Sequence, residues 1–473
     1  MSNKKNREIL ALIVALFATV ALVAGVGWWA KGTFFPSGTG QLSTGNLGRG
    51  RQNKATAGAD GSSGKSVLPT SASSNKRSGL QALSTGNYAR AQLDFEAALR
   101  EERNDPESLI YLNNAKIGDS EAYIIAVVIP ASADLTGPAL AILRGVAQAQ
   151  NDVNKANGIN GTPLKVLILN DEGRVDDAVD VASTLVADER VLGVVGHYSS
   201  GTTLAAANQY EAGQLPMISP TSTAVEISYE GDYIFRTVPS DRNAAEELVP
   251  YVLNKLNKTR AAVFYDSEST YSRSVRTEFT TEMEDGGEVV ITLDVNEAEF
   301  SAGRALRSAK EANADVIMLA LTEDTDDISV QILSVNNGEL PVVGGDSLYD
   351  FNILDNGGAS AVGLTVPVPW DIVSYAQSSF VTEANSLWGA AINWRTATSY
   401  DATKALAEAI EIGGASRDGV FEALSDSQFE AEGATDSVRF STQGDRNRPS
   451  QLVTVVKSEN GISGTGYDYE PVK

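Results

Sequence analysis

Residues 194–241 read VVGHYSSGTTLAAANQYEAGQLPMISPTSTAVEISYEGDYIFRTVPSD, and this stretch decides the fold class. A short apolar run, Val191 to Gly196, ends at Ser199, Ser200, Thr202 and Thr203; a second, Leu215 to Ser219, ends at Thr221, Ser222 and Thr223. Each reads as a strand feeding a loop stocked with hydroxyls and small residues. In an open α/β sheet, loops at the carboxyl ends of strands are where ligands are held. Free N–H groups at helix starts favour a small anionic group, and Ser or Thr hydroxyls complete its hydrogen bonds. Such a site grips without reacting.

Working outward, apolar runs at Tyr123–Pro130, Leu164–Leu169, Leu192–Gly196, Pro216–Ser219, Ala261–Phe264, Val289–Thr292, Val316–Leu321 and Pro341–Gly344 read as strands. Helical stretches such as Gly137–Asn157, Val175–Asp188 and Ala244–Leu256 separate them. Apolar strands alternating with amphipathic helices indicate parallel sheets covered on both faces. The region from Ala122 onward exceeds the roughly 250–300 residues at which single cores stop growing, so two lobes follow.

The whole chain has 473 residues, 42% of them hydrophobic, with a formal net charge of −24 and no cysteine. That acidity excludes a nucleic-acid partner, which needs clustered Lys and Arg. Without cysteine there is no disulfide framework or thiolate site. Ile9 to Ala30 carries no charge and follows Lys4, Lys5 and Arg7. At about 1.5 Å per residue it reaches roughly 33 Å, enough to cross a bilayer core. Trp28 and Trp29 stand where an aromatic belt is expected, and the basic flank predicts an N-terminus inside. A cleaved signal peptide has a shorter apolar region, so residues 1–30 read as a retained membrane anchor.

Residues 31–77, rich in Gly, Ser, Thr and Asn, read as a disordered linker. Within them ADGSSGKS falls short of a phosphate-binding loop, because Ala59 replaces the first glycine and no strand precedes it. Residues 78–118 turn helical. Gly86, Tyr88, Ala91, Phe95 and Ala98, with Pro106 closing, resemble a single tetratricopeptide repeat: a helical hairpin that packs on the next domain or docks a protein partner.

From Ala122 to the C-terminus the chain resembles the type I periplasmic-binding-protein family, the branched-chain amino-acid and amide receptors of ABC transporters. The resemblance rests on IIAVVIPASADLTGPALAILRGVAQAQNDVNKANGINGTPLKVLILNDEG, GHYSSGTT, Ile218-Ser219-Pro220 with Thr221-Ser222-Thr223, Phe235-Arg236-Thr237, YDSESTYS, ADVIMLAL, VVGGDS, SYDATKALAEAI and VRFSTQGD, in that order. It implies an α/β fold of two lobes joined by a hinge, with residues 122–241 and 365–444 in lobe 1 and 242–364 and 445–473 in lobe 2. It also implies an extracytoplasmic receptor that closes on a small amino-acid-like ligand, zwitterion or amide, and delivers it to permease subunits; the run Ile9–Ala30 adds the expectation that it is anchored to the inner membrane. No cofactor, metal or catalytic residue is implied.

Carried over residue by residue, the resemblance places Ser200 on the serine that holds the ligand carboxylate and Thr221 and Thr223 on the second-loop positions, flanked by Ser199 and Ser222. Both loops also suit plain helix capping. Asp346, ending the VVGGDS strand, falls where the family carries an acid for the ligand ammonium. Tyr271 falls on a ring lining the side-chain pocket, although Ser272 replaces the glycine that usually follows. An ungapped count puts Pro138 where an aromatic usually covers the ligand and Thr322 near an expected tyrosine, which predicts a less aromatic pocket than one for leucine. Trp370 and Trp394 read as core or as the mouth of the cleft. Glu323, Asp324, Asp326 and Asp327 read as a solvated helix start. His197, the one histidine, reads as orienting its loop. No nucleophilic machinery is visible. Two other functions share the pattern: a scaffold that docks and activates a cell-wall synthesis enzyme, and a sensor ectodomain.

Overall fold

The computed structural model describes residues 64–473 apart from Asn447. The expected anchor, 1–30, and most of the expected linker lie outside the described residues. Among those described, no helix is long and apolar enough to cross a membrane.

The first sheet comprises β1 (Tyr123–Ile129), β2 (Leu164–Asn170), β3 (Val191–Val195), β4 (Met217–Ser219) and β5 (Ile234–Arg236), all parallel, in the order β2-β1-β3-β4-β5. Its strands are apolar on both faces because helices cover both. Ile125, Val127 and Ile129 pack with the helices Thr136–Lys155 and Trp394–Gly413, while Ala126 and Val128 pack with Val175–Ala187 and Ser200–Ala212. The first helix pair is in close contact: a Cβ on Gly145 would lie 2.2 Å from the Thr396 carbonyl oxygen.

The second sheet holds β6 (Arg260–Tyr265), β7 (Glu288–Asp294), β8 (Val316–Ala320), β9 (Val342–Gly344) and β10 (Thr365–Val368). A small ribbon, β11 (Ala431–Glu432) with β12 (Ser437–Val438), belongs to neither sheet. After it, β13 (Gln451–Lys457) and β14 (Tyr467–Pro471) complete the order β14-β13-β10-β9-β8-β6-β7. Because β13 runs antiparallel to β10 and β14, this sheet is mixed and not purely parallel as expected. Since β10 lies in it, the chain returns to the first lobe after Val368, a few residues beyond the boundary expected at Leu364. Pro367 hid this strand: proline inside an apolar run argues against a central strand, yet here β9 pairs with β10 only at Thr365.

Three passages join the lobes: Thr237 to Ser240, the segment after Val368, and the segment after Arg446. Two are stitched together where the Arg236 N–H donates to the Gly444 carbonyl (3.0 Å) and the Arg446 N–H to the Arg236 carbonyl (3.1 Å).

Ahead of the first sheet, one hairpin was expected over 78–118; the described residues there form three helices, Ser74–Ser84, Tyr88–Glu101 and Pro106–Ile117. Pro106, read as a closing residue, instead opens the third helix behind the N-cap Asp105, where its missing N–H is harmless. The expected linker also ends early, since Glu107 organises residues 66–76. Its buried carboxylate accepts from Ser66 Oγ (2.7 Å) and the Val67 N–H (2.6 Å) and pairs with Lys76 Nζ (2.8 Å). Burial alone would lower the Lys76 pKa, but Glu107 and Asp105 together hold it above the ordinary value.

The third helix covers β2, the edge of the first sheet. Asn114 Nδ2 donates to the Val166 carbonyl (2.8 Å), and its Oδ1 accepts from the Val166 N–H (3.3 Å) and Gln150 Nε2 (2.9 Å). An uncovered edge strand invites pairing with other chains. Asn114→Ala would leave buried backbone groups of Val166 unpaired, and urea denaturation should show a loss of about 2 kcal/mol.

Candidate functional site

The two hydroxyl-rich loops meet at the carboxyl end of the first sheet. Ser199 caps the helix Ser200–Ala212: its Oγ accepts from the Thr202 N–H (3.2 Å), and Thr202 Oγ1 accepts from the Ser199 N–H (3.2 Å). Ser200 Oγ accepts from the Ala224 N–H (3.2 Å), and Thr221 Oγ1 donates to the Tyr198 carbonyl (2.6 Å). The hydroxyls thus lock the loops to each other as well as facing the cleft. His197, fully buried, bonds Asp171 through Nδ1 (2.7 Å) and the Tyr210 hydroxyl through Nε2 (2.9 Å), while its carbonyl accepts from Ser219 Oγ (2.9 Å).

Arg236 holds the second loop from behind. Its guanidinium is fully buried, with Nε on Asp445 (2.6 Å), Nη1 on the carbonyls of Thr223 (2.9 Å) and Ala224 (2.8 Å), and Nη2 on Ser228 Oγ (2.7 Å). The forked, permanently charged group can satisfy several acceptors at once, which a lysine cannot.

Between the lobes lies a cavity of about 310 Å³. Five of the seven expected residues line it: Ser199, Ser200, Thr221, Tyr271 and Asp346. Ser222 does not, because its Oγ is turned onto Thr203 Oγ1 (2.8 Å) and the carbonyls of His197 and Tyr198. Thr223 does not either; its buried hydroxyl is turned toward the Asp241 carboxyl, and its carbonyl accepts the Asp241 N–H (2.9 Å).

Across the cavity, the Tyr271 hydroxyl donates to Asp346 Oδ1 (2.7 Å) and accepts from the Ser347 N–H (3.2 Å). Gly345 makes this possible, since a Cβ there would sit 2.2 Å from the hydroxyl oxygen. Burial pushes the Asp346 carboxyl up to about 6, against the pull of the Tyr271 hydroxyl. Asp241 is pushed up to about 7, by burial and then by Asp346, against the pull of the Ser274 and Thr223 hydroxyls. The two carboxyls line a void of about 10 Å³ adjoining the main cavity.

Sequence reasoning missed the rest of the wall. Arg395 reaches from the first lobe to Glu323 of the second, and its Nη1 donates to the Tyr349 carbonyl (3.3 Å). Its guanidinium lies over the Trp394 ring at 4.4 Å. Glu323 also accepts from Ser347 Oγ (2.6 Å). The acidic run therefore is not wholly the solvated helix start expected of it. Glu323 pairs across the cleft, and Asp326 is buried, pushed up to about 9 by burial and by the neighbouring Asp350 and Glu323. Trp394 lines the cavity whereas Trp370 is core, stacked on Tyr375. The loop after β1 contributes Leu135; Pro138 faces away from this cavity, and Thr322 lines it as counted. With Tyr198, Tyr271 and Trp394 in its walls, the cavity keeps more aromatic surface than expected.

The cavity is polarised. Its first-lobe wall carries hydroxyls, Arg395 and Trp394 and no carboxylate; its second-lobe wall carries Asp266, Glu268, Glu323, Asp324 and Asp346 and no base. Arg395 Nε and Trp394 Nε1 are buried and have no partner among the described residues.

A family model described as periplasmic binding protein matches residues 124–461. The chain is 25% identical over 354 residues to a Leu/Ile/Val-binding protein homolog 3 of Brucella melitensis, covering 71% of this chain and 93% of that one. It is 26% identical over 342 residues to the Leu/Ile/Val-binding protein BraC3 of Rhizobium johnstonii, covering 70% and 90%. Among solved structures, an ABC transporter substrate-binding protein from Desulfitobacterium hafniense in complex with Leu superposes with a TM-score of 0.62 at 22% identity, covering 74% of this chain and all of that one. A leucine binding protein from Thermotoga maritima gives 0.64 at 22%, covering 74% and 98%. At such identities the structures speak for the fold.

Proposed function

The chain belongs to the periplasmic binding protein family, and on that premise we propose that it is an extracytoplasmic receptor of an ABC transporter that closes on a small amino-acid-like ligand. The polarised cavity carries the reading. Ser200, the start of the second loop at Thr221 and the guanidinium of Arg395 suit a ligand carboxylate; Asp346, with Asp241 behind it, suits an ammonium. Because the two halves sit on different lobes, only the closed form offers both. That difference in contacts is what lets a ligand drive closure. The charge-free run Ile9–Ala30 supports tethering to the membrane, and the relatives' names support a permease partner. The lobe assignments expected from the sequence, moved to Val368 at the second passage, belong to the same proposal.

Thermal-shift screening of the full chain against amino acids, amides and small carboxylates tests this. Stabilisation by a zwitterion, lost in Ser200→Ala, is expected; stabilisation undiminished by that change would remove the site assignment. Affinity should also follow pH. Asp346 and Asp241 have folded values of about 6 and about 7, above the unfolded value near 3.9. Their contribution to the stability of the empty protein is therefore fully present below about pH 4 and lost as pH rises through 6 to 7. Ligand binding needs the ionised form and runs the other way. Calorimetric titration should show affinity weakening as pH falls below about 6.

A further inference from the structure

A second cavity opens between the lobes on the other side of Arg395. That side chain lines both cavities, and its bonds to Glu323 and to the Tyr349 carbonyl stand between them. We infer that the second cavity is a separate binding site for an amphipathic monocarboxylate, a small molecule with an apolar body and one carboxylate, held by Arg144. Its volume of about 460 Å³ exceeds that of the first cavity and lies within the range of ligand pockets. The walls set the apolar body. Pro138, Ala141 and Ile392 of the first lobe face Leu354 of the second. Phe351, Val373 and Ile462 also line the cavity while remaining 54%, 41% and 50% exposed. Large apolar side chains left open together around one concavity mark a binding surface.

Arg144 sets the charge. Its half-buried guanidinium donates through Nε to Asn104 Oδ1 (2.9 Å) and reaches the Ala391 carbonyl with Nη1 at 3.5 Å. Both partners are neutral, and among the described residues no carboxylate pairs with it. Burial therefore lowers its pKa with no acid to raise it back. A cation taken out of water needs a counter-charge, and here a ligand carboxylate supplies it. The acids that line the cavity belong to the second lobe. Asp350 accepts the Asn352 N–H (2.8 Å) at the start of the helix Phe351–Gly357, Asp468 accepts the Ser463 N–H (2.9 Å), and Glu470 stands beside them. They keep an anion off that wall and direct it to Arg144.

Isothermal titration of the full chain with octanoate and with octanamide, which keeps the carbon chain but lacks the charge, tests the inference. Octanoate should bind at least about tenfold tighter, because charge-assisted bonds from an arginine to a carboxylate are the stronger kind. Arg144→Gln should erase that preference. Ala391→Trp, at an exposed position on the cavity wall, should weaken both compounds, and Ser200→Ala should change neither. Failure of octanoate to bind, equal binding of the two compounds, or a preference that survives Arg144→Gln would overturn the inference. So would octanoate binding that is lost in Ser200→Ala and kept in Ala391→Trp, which would place it in the first cavity. Each of these results leaves the receptor reading of the first cavity intact.

Discussion

Replacing Asp346 by asparagine is expected to weaken ligand binding at least thirtyfold and, at the same time, to stabilise the empty protein. The first effect follows because removing one partner of a buried, hydrogen-bonded charge pair costs about 2–5 kcal/mol. The second follows because Asp346 is 7% exposed and forms no ion pair, so that burial outweighs both its hydrogen bond from the Tyr271 hydroxyl and the longer-range pull of Arg395. Its raised value of about 6 means that ionisation at neutral pH opposes folding. Asparagine keeps an acceptor for the Tyr271 hydroxyl and removes the charge, so a gain on the order of 2 kcal/mol at pH 7.5 is expected. A residue with a merely structural role would lose stability on substitution. Calorimetric titration and urea denaturation of one variant separate the cases, and loss of both binding and stability would contradict the role given to Asp346.

Arg236→Met is expected to destabilise the protein by about 4 kcal/mol, in line with breaking a buried ion pair. The change removes one of the two donors on each of the carbonyls of Thr223 and Ala224, which Arg236 Nη1 reaches at 2.9 and 2.8 Å, and releases Asp445 at the third passage between the lobes. The second binding loop and the hinge share this one side chain, so affinity should fall along with stability. Arg236→Lys should recover little of either, because one ammonium cannot span Asp445, Ser228 and the two carbonyls. An unchanged urea midpoint in Arg236→Met would show that the loop holds its shape without the guanidinium.

How much could be read in the chain depended on whether the signal was local. The strands that flank the two serine-rich loops are unbroken apolar runs, and each stands where the runs place it. Strand β10 escaped because Pro367 interrupts its pattern, and β13 and β14 because their partly exposed residues lack a buried run. The site divides the same way. Ser200, Thr221 and Asp346 sit at strand ends and were legible as such. Ser222 and Thr223 share that position but turn inward, which only three-dimensional packing decides. Arg395 and Glu323 lie 72 positions apart, and nothing in either neighbourhood announces the other. The acids after β8 resemble an ordinary helix start until the fold brings a guanidinium to one of them and leaves Asp324 among like charges.

The three N-terminal helices show a similar limit. Buried Ala91, Phe95 and Ala98 fit the small-and-aromatic spacing of the sequence. The partner of the third helix, the edge strand β2, is set by Asn114, a residue that no hydrophobic pattern would select. The third helix is thereby used on its own first lobe.

A crystal structure of the protein with the tightest-binding amino acid would test the site most directly. The ligand carboxylate is predicted within hydrogen-bond distance of Ser200 and Thr221, with the α-ammonium on Asp346 and both lobes in contact with the one molecule. A ligand bound outside the cavity between the lobes, or one lying there with its ammonium away from Asp346, would contradict that assignment.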